Sequence, residues 1–142
     1  MVSSILTVCT GNICRSPMAE MILRNRLKEE IDVASAGLMA LVGHPAAPLV
    51  IKLLDERGLD ATIHRARQIT IEIAQAAELI LVMEQWQKQD LERNIPQIKG
   101  RVFRLGHWQN LDIVDPYRHG RDVFEQSLTA IEKGINSWIE IL

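Results

Sequence analysis

Short apolar runs that alternate with stretches of helical periodicity leave this chain few folds to choose from. "ILTV" (5–8), "IDVASAG" (31–37), "LILVM" (79–83) and "RVFRL" (101–105) read as strands. The first and third are apolar without alternation, the pattern of a parallel strand covered on both faces. Apolar residues at three- and four-residue steps mark the helices between them. Ala19, Ile22, Leu23 and Leu27 define one helix, and Ala46, Leu49, Val50 and Leu53 a second that Gly58 closes. "EQWQKQDLERN" (84–94) gives a further helix. The last is the most regular, with Phe124, Leu128, Ile131, Ile135, Trp138, Ile139 and Leu142 in one stripe. We read that stripe as core rather than as a partner-binding seam, so a monomer is expected. Strands alternating with helices make an α/β fold with a parallel sheet. Such sheets bind ligands beyond the carboxyl ends of their strands, and Cys9 falls on that edge.

The 142 residues suit a single domain spanning 1–142. A formal net charge of -2 offers no global field for nucleic acid or an anionic membrane, so any affinity for anions has to be local. The first residues lack the basic start and apolar core of a secretory signal, and no apolar run is long enough to span a bilayer. The expectation is a cytoplasmic protein without membrane insertion. In a reducing compartment its only two cysteines, Cys9 and Cys14, are better suited to reactivity than to a structural bridge.

Both cysteines lie in "CTGNICRS" (9–16), between the first strand and the first helix. Pro17 suits the first turn of a helix, which makes Ser16 the expected N-cap. A curled loop ahead of a helix turns unpartnered backbone N–H groups toward a common centre, a nest for an anion. Gly11 permits backbone conformations closed to other residues, and Asn12 tolerates the left-handed region. Arg15 brings a planar fork suited to two phosphate oxygens. Thr10, Gly11, Asn12, Ile13, Cys14, Arg15 and Ser16 are therefore the expected phosphate cradle, with Cys9 beneath the anion as its nucleophile. A purely structural strand–loop–helix turn remains the plain alternative. Two cysteines supply at most half a zinc set, and neither a Walker A lysine nor a GxGxxG pattern is present. A leaving phenolate also needs an acid. Asp115 in "IVDPYRHG" is the candidate, with turn initiation as its alternative role and Asp112 and Asp122 behind it. Tyr117, the only tyrosine, could form an aromatic wall.

"VCTGNICRSPMAE" together with "DPY" resembles the low-molecular-weight protein tyrosine phosphatases, and "SAG" (35–37), "HRARQ" (64–68), "LILVME" (79–84) and "FRLGHW" (103–108) extend the likeness over nearly the whole chain. "ALVGHPA" and "RLGHW" are most similar to the bacterial branch linked to capsule and exopolysaccharide export. The resemblance implies a four-stranded parallel twisted sheet with helices on both faces, the three-layer α/β/α arrangement of phosphotyrosine phosphatase I. It implies metal-independent hydrolysis of phosphotyrosine through a phosphocysteine, without a cofactor. By it, Cys9 is the nucleophile, Arg15 and the loop amides bind the phosphoryl group, and Asp115 is the general acid and base. Ser16 bonds the thiolate, while Asn12, Ser35 and His64 hold the loop in shape. Cys14 becomes a redox partner able to close a disulfide with Cys9. Residues 38–44, Leu41 among them, and Tyr117 wall the cleft, with Arg118 where some relatives carry a second aromatic. Ile13 is aliphatic as in tyrosine-directed members, where relatives acting on phosphoarginine carry threonine. The implied partner is a bacterial tyrosine autokinase with a tyrosine-rich tail. Two other functions stay open at this point, an arsenate reductase on the same fold and a non-catalytic phosphate-binding module. The first would have to work with two cysteines, and the second would need neither Cys9 nor Asp115.

Overall fold

A computed structural model describes residues 2–142. Strand β1 (Ser4–Cys9) leads into helix α1 (Arg15–Arg26), followed by β2 (Asp32–Gly37) and α2 (Pro48–Asp55). Then come α3 (Ile71–Ala76), β3 (Leu79–Val82), α4 (Gln85–Asn94), a 3-10 turn at Pro96–Ile98, β4 (Val102–Arg104) and the long α5 (Arg121–Ile139). The four strands form one sheet in the order β2-β1-β3-β4, and every neighbouring pair is parallel. Among the described residues no helix is long and apolar enough to cross a membrane.

The apolar strands feed two cores because successive side chains leave a strand on opposite faces. On β1, Ile5 and Cys9 join Met18, Leu23, Val50, Leu53, Phe124 and Leu128 on the face covered by α1, α2 and α5. Leu6 and Val8 join Ala74, Leu91 and Ile98 on the face covered by α3, α4 and the 3-10 turn. On β3, Leu79 and Leu81 divide from Ile80 and Val82 in the same way. The stripe on α5 is buried from Phe124 to Trp138, as expected of core. Gly134 lets that helix approach the end of β4, since a Cβ there would meet the Leu105 carbonyl at 2.6 Å.

Three local expectations change. Helix α1 begins at Arg15 with Cys14 as its cap residue, so Ser16 is not the N-cap, while Pro17 lies in the first turn as expected. The Ser16 hydroxyl is engaged by Cys9 and Asn12 instead. Helix α2 starts at Pro48, leaving Ala46 buried ahead of it, and Leu142 lies beyond the end of α5. Helix α3 escapes the periodicity reading because six residues hold too little of a stripe; its one local signal is Thr70, whose hydroxyl caps the Ile73 amide at 3.1 Å.

Candidate active site

The loop between β1 and α1 is turned inside out by its surroundings. Six successive carbonyls, from Cys9 to Cys14, each accept a hydrogen bond from outside the loop. The donors are the amides of Leu38 (3.0 Å), Met39 (2.9 Å), Leu41 (3.1 Å), Ala47 (2.9 Å) and Met18 (3.2 Å), and His64 Nε2 to Asn12 O (2.7 Å). Because Asn12 O can only accept, His64 Nε2 carries a proton. With the carbonyls facing out, the amides of Gly11, Ile13, Cys14, Arg15 and Ser16 donate to no protein acceptor among the described residues. They are left for an anion at the N-terminus of α1.

Asn12 makes this curl possible, with φ at +59°, as its tolerance of the left-handed region predicts. Gly11 does not play the part expected of it. Its φ is not positive, and a Cβ there would meet only Ile13 at 3.8 Å and Leu41 at 4.0 Å. The glycine that matters is Gly37, where a Cβ would sit 2.6 Å from the Thr10 carbonyl and 3.0 Å from Asn12 Cβ. The end of β2 is thus the bed on which the loop lies.

A directed chain of hydrogen bonds runs to the sulfur. The Glu20 carboxylate accepts from Ser35 Oγ (2.5 Å), so the Ser35 hydroxyl donates away from Asn12. Asn12 Nδ2 donates to Ser35 Oγ (3.0 Å) and to Ser16 Oγ (2.7 Å), and Asn12 Oδ1 accepts from the Arg67 amide (2.9 Å). Ser16, filled as an acceptor, is free to donate to Cys9 Sγ at 3.0 Å. The Asn12 amide is the second donor to that sulfur, at 3.3 Å. Ser16, Asn12, Ser35 and His64 are therefore brought together as the resemblance implies. Glu20 and Arg67 complete the chain, and sequence reasoning gave neither a role although both stand inside quoted motifs.

Arg15 is buried, and its guanidinium is fixed by two acceptors on Nη1: Glu84 Oε2 at 2.7 Å and the Ile113 carbonyl at 2.9 Å. Its Nη2 lies 3.7 Å from Asp115 Oδ2. Asp115 is half-exposed and rides on a segment with three anchors. Ile113 N donates to Met83 O (2.9 Å), Asp112 takes Arg104 Nη1 (3.0 Å), and Asp112 also takes the Gln85 amide (3.1 Å). Asp112 is thus a tether, and Asp122 lies in the first turn of α5. Gln87, also missed, accepts from the Met83 and Glu84 amides and donates to Thr10 Oγ1 at 3.2 Å. Its signal was the capping-box spacing from Glu84.

Above the loop is a cleft of about 190 Å³. Cys9, Cys14, Arg15 and the loop backbone form its floor, with Asp115 at the side and Met39, Leu41 and Tyr117 as walls. Of the residues expected from 38–44, only Met39 and Leu41 line it. Leu38 packs against the opposite core and His44 does not reach it. Arg118 adopts φ +66° and lays its guanidinium over the Tyr117 ring at 5.2 Å, a cation–π contact at the mouth. Both cysteines are free thiols. Burial pushes Cys14 up to about 12, reinforced by the nearby Cys9 and Asp115 charges and opposed by Arg15. Floor, side group and apolar walls suit a tetrahedral dianion joined to a flat ring.

A family profile described as "Low molecular weight phosphotyrosine protein phosphatase" matches residues 4–142. The chain is 45% identical over 139 residues to the probable low molecular weight protein-tyrosine-phosphatase EpsP of Ralstonia nicotianae, covering 98% of this chain and 95% of that one. It is 42% identical over 143 residues to the low molecular weight protein-tyrosine-phosphatase Wzb of Escherichia coli K12, covering 100% and 97%. The crystal structure of the Erwinia amylovora tyrosine phosphatase AmsI superposes with a TM-score of 0.95 at 40% identity, over 100% of this chain and 94% of that one.

Proposed function

We propose how this chain, which belongs to the low molecular weight phosphotyrosine protein phosphatase family, uses the loop between β1 and α1 to hydrolyse protein phosphotyrosine. Cys9 Sγ attacks phosphorus as the thiolate. The S–P bond forms as the P–O bond to the tyrosine ring breaks, and Asp115 gives its proton to the leaving phenolate. The inward amides and Arg15 hold the three equatorial oxygens and the charge they gather in the transition state. Water then attacks the phosphocysteine, Asp115 takes its proton, and the S–P bond breaks to release phosphate. Ser16 and the Asn12 amide, both aimed at Cys9 Sγ, stabilise it as nucleophile and again as leaving group. Under peroxide, a Cys9 sulfenic acid meets the Cys14 thiol and closes a disulfide with loss of water.

The observation that carries this reading is the inverted loop, six carbonyls out and the amides in, around a sulfur with two donors. The substrate is the phosphotyrosine tail of a bacterial tyrosine autokinase controlling exopolysaccharide production. Three relatives with "protein-tyrosine-phosphatase" in their names, EpsP, Wzb and AmsI, support phosphotyrosine as the substrate class, and Met39, Leu41 and Tyr117 supply walls for its ring. The chain works as a single cytoplasmic domain and as a monomer, the α5 stripe being spent in its own core. Turnover of phosphotyrosine, phosphoserine and phosphoarginine peptides, measured side by side in EDTA, tests the reading. Phosphotyrosine alone should be hydrolysed at a useful rate, with a phosphoryl group trapped on Cys9 by acid quench. Preference for another phosphoamino acid, or no phosphocysteine, overturns it.

A further inference from the structure

A second recess, of about 270 Å³, lies beside the same loop and shares no lining residue with the cleft. Its floor is Ser35, His64 and the buried Glu20, and its rim carries three arginines, Arg24, Arg65 and Arg67. Arg24 is neutralised by Glu20, Nη2 to Oε2 at 2.8 Å. Arg65 and Arg67 are different. Arg65 Nη1 donates to the carbonyls of Thr62 (3.1 Å) and His64 (2.7 Å), and Arg67 Nε donates to the Ser35 carbonyl (2.8 Å). Among the described residues neither has a carboxylate at ion-pair distance. Carbonyl contacts fix a guanidinium without cancelling its charge, and they leave other N–H groups of each fork unused. Two fixed, uncompensated cations on one polar recess are a prepared anion site, in a chain whose net charge is -2. Ile63, 77% exposed beside them, adds an apolar flank that a bare ion would not use.

We propose that this recess binds a phosphate-monoester dianion, with Arg65 and Arg67 on its oxygens and Ile63 against its organic part, and that its occupancy is coupled to the loop that carries Cys9. The coupling rests on the reading of that loop as the reaction site; the binding does not. The physical link is short. The amide of Arg67 donates to Asn12 Oδ1, His64 Nε2 donates to Asn12 O, and Ser35 stands between Asn12 and Glu20. A ligand that immobilises residues 63–67 therefore holds the one left-handed residue on which the loop turns. By linkage, an anion in the cleft tightens the recess by the same factor that the recess ligand tightens the cleft.

The test is residue-resolved NMR of the full chain, titrated with inorganic phosphate, methylphosphonate and phenylphosphonate against chloride at matched ionic strength. The Nε–H signals of Arg65 and Arg67 report the recess, and the amides of Gly11 and Ile13 report the cleft. Saturable shifts at both arginines with all three oxyanions, absent with chloride, are expected. Tighter binding of phenylphosphonate than of inorganic phosphate is expected, and equal affinities overturn the assignment of the ligand as an ester held against Ile63. Arg65→Gln should weaken the recess by about tenfold or more and raise the Gly11 and Ile13 midpoints by no more than the coupling factor. Shifts at Arg65 and Arg67 that grow linearly without saturating, or a recess midpoint unchanged in Arg65→Gln, overturn the site. A recess midpoint indifferent to vanadate in the cleft overturns the coupling. Loss of the Gly11 and Ile13 response alone would strike the reading of the cleft and leave the recess standing.

Discussion

Arg15 and Glu84 form a nearly buried ion pair, 2.7 Å from Nη1 to Oε2, and the Ile113 carbonyl shares that same Nη1. The pair sets the plane of the guanidinium, and through Ile113 it ties that plane to the segment bearing Asp115. A buried charge stripped of its partner is costly, about 3–5 kcal/mol where both are fully enclosed. Glu84 is partly exposed, so Glu84→Ala should lose about 2–3 kcal/mol in phosphate-free buffer. Because the guanidinium then keeps only the Ile113 carbonyl and the more distant, half-exposed Asp115, added phosphate should restore more stability to the variant than to the parent. Equal thermal shifts on adding phosphate would show that Glu84 does not hold Arg15.

The bed beneath the loop gives a contrast between two glycines. Gly37→Ala places a methyl group 2.6 Å from the Thr10 carbonyl, which is backbone and cannot swing aside. Overpacking of this kind costs about 1–3 kcal/mol, and here the displaced backbone is the nucleophile loop. Gly37→Ala should lose stability and aryl phosphate turnover together. Gly11→Ala, with nothing closer than 3.8 Å and no positive φ, should unfold within about 0.5 kcal/mol of the parent. Denaturant melts of the two variants decide this, and a reversed order would mean that Gly11 carries the curl.

The sheet, its parallel sense and most helices were legible because period-2 and period-3.6 burial are properties of neighbours in sequence. Cys9, Asn12, Arg15 and Asp115 were legible because their residue types announce chemistry. Glu20, Glu84, Gln87 and Arg67 were not, because the contact that joins each to the site is made with a residue distant in the sequence. Arg15 and Glu84 are 69 residues apart, and Gln87 and Thr10 are 77 apart. Gly11 misled for the opposite reason: glycine in a loop signals freedom, and here the asparagine beside it took the left-handed position.

Asp115 stands beside the cleft at 3.7 Å from Arg15 Nη2, close enough to share a substrate with it. If it protonates the leaving oxygen, the consequence grows with the basicity of that oxygen. Asp115→Asn should slow phosphotyrosine peptides by about 10²-fold or more. An aryl phosphate with a strongly acidic phenol, which leaves unaided, should be slowed far less. A series of aryl phosphates of graded phenol acidity measures the slope directly. A uniform loss across the series would assign the proton to another group and leave Asp115 a turn former.

Cys9 and Cys14 share one floor but meet different surroundings. Cys9 Sγ receives Ser16 Oγ and the Asn12 amide, whereas burial first, and the Cys9 and Asp115 charges after it, push Cys14 up to about 12 from 9.0. At pH 8 that leaves about one Cys14 in 10⁴ as thiolate. Iodoacetate at neutral pH should therefore alkylate Cys9 in the folded protein and spare Cys14, as peptide mapping would show. The same shift fixes the sign of an alkaline effect. The folded state holds the Cys14 proton more tightly than the unfolded chain does. Its contribution is thus complete below pH 9 and falls away as pH rises toward 12, at up to about 1.4 kcal/mol per pH unit. Other groups titrate in that range, so the informative quantity is the difference between the parent and Cys14→Ala. Between pH 9 and 12 the parent should lose stability more steeply than the variant, and parallel curves would mean that Cys14 ionises as readily folded as unfolded.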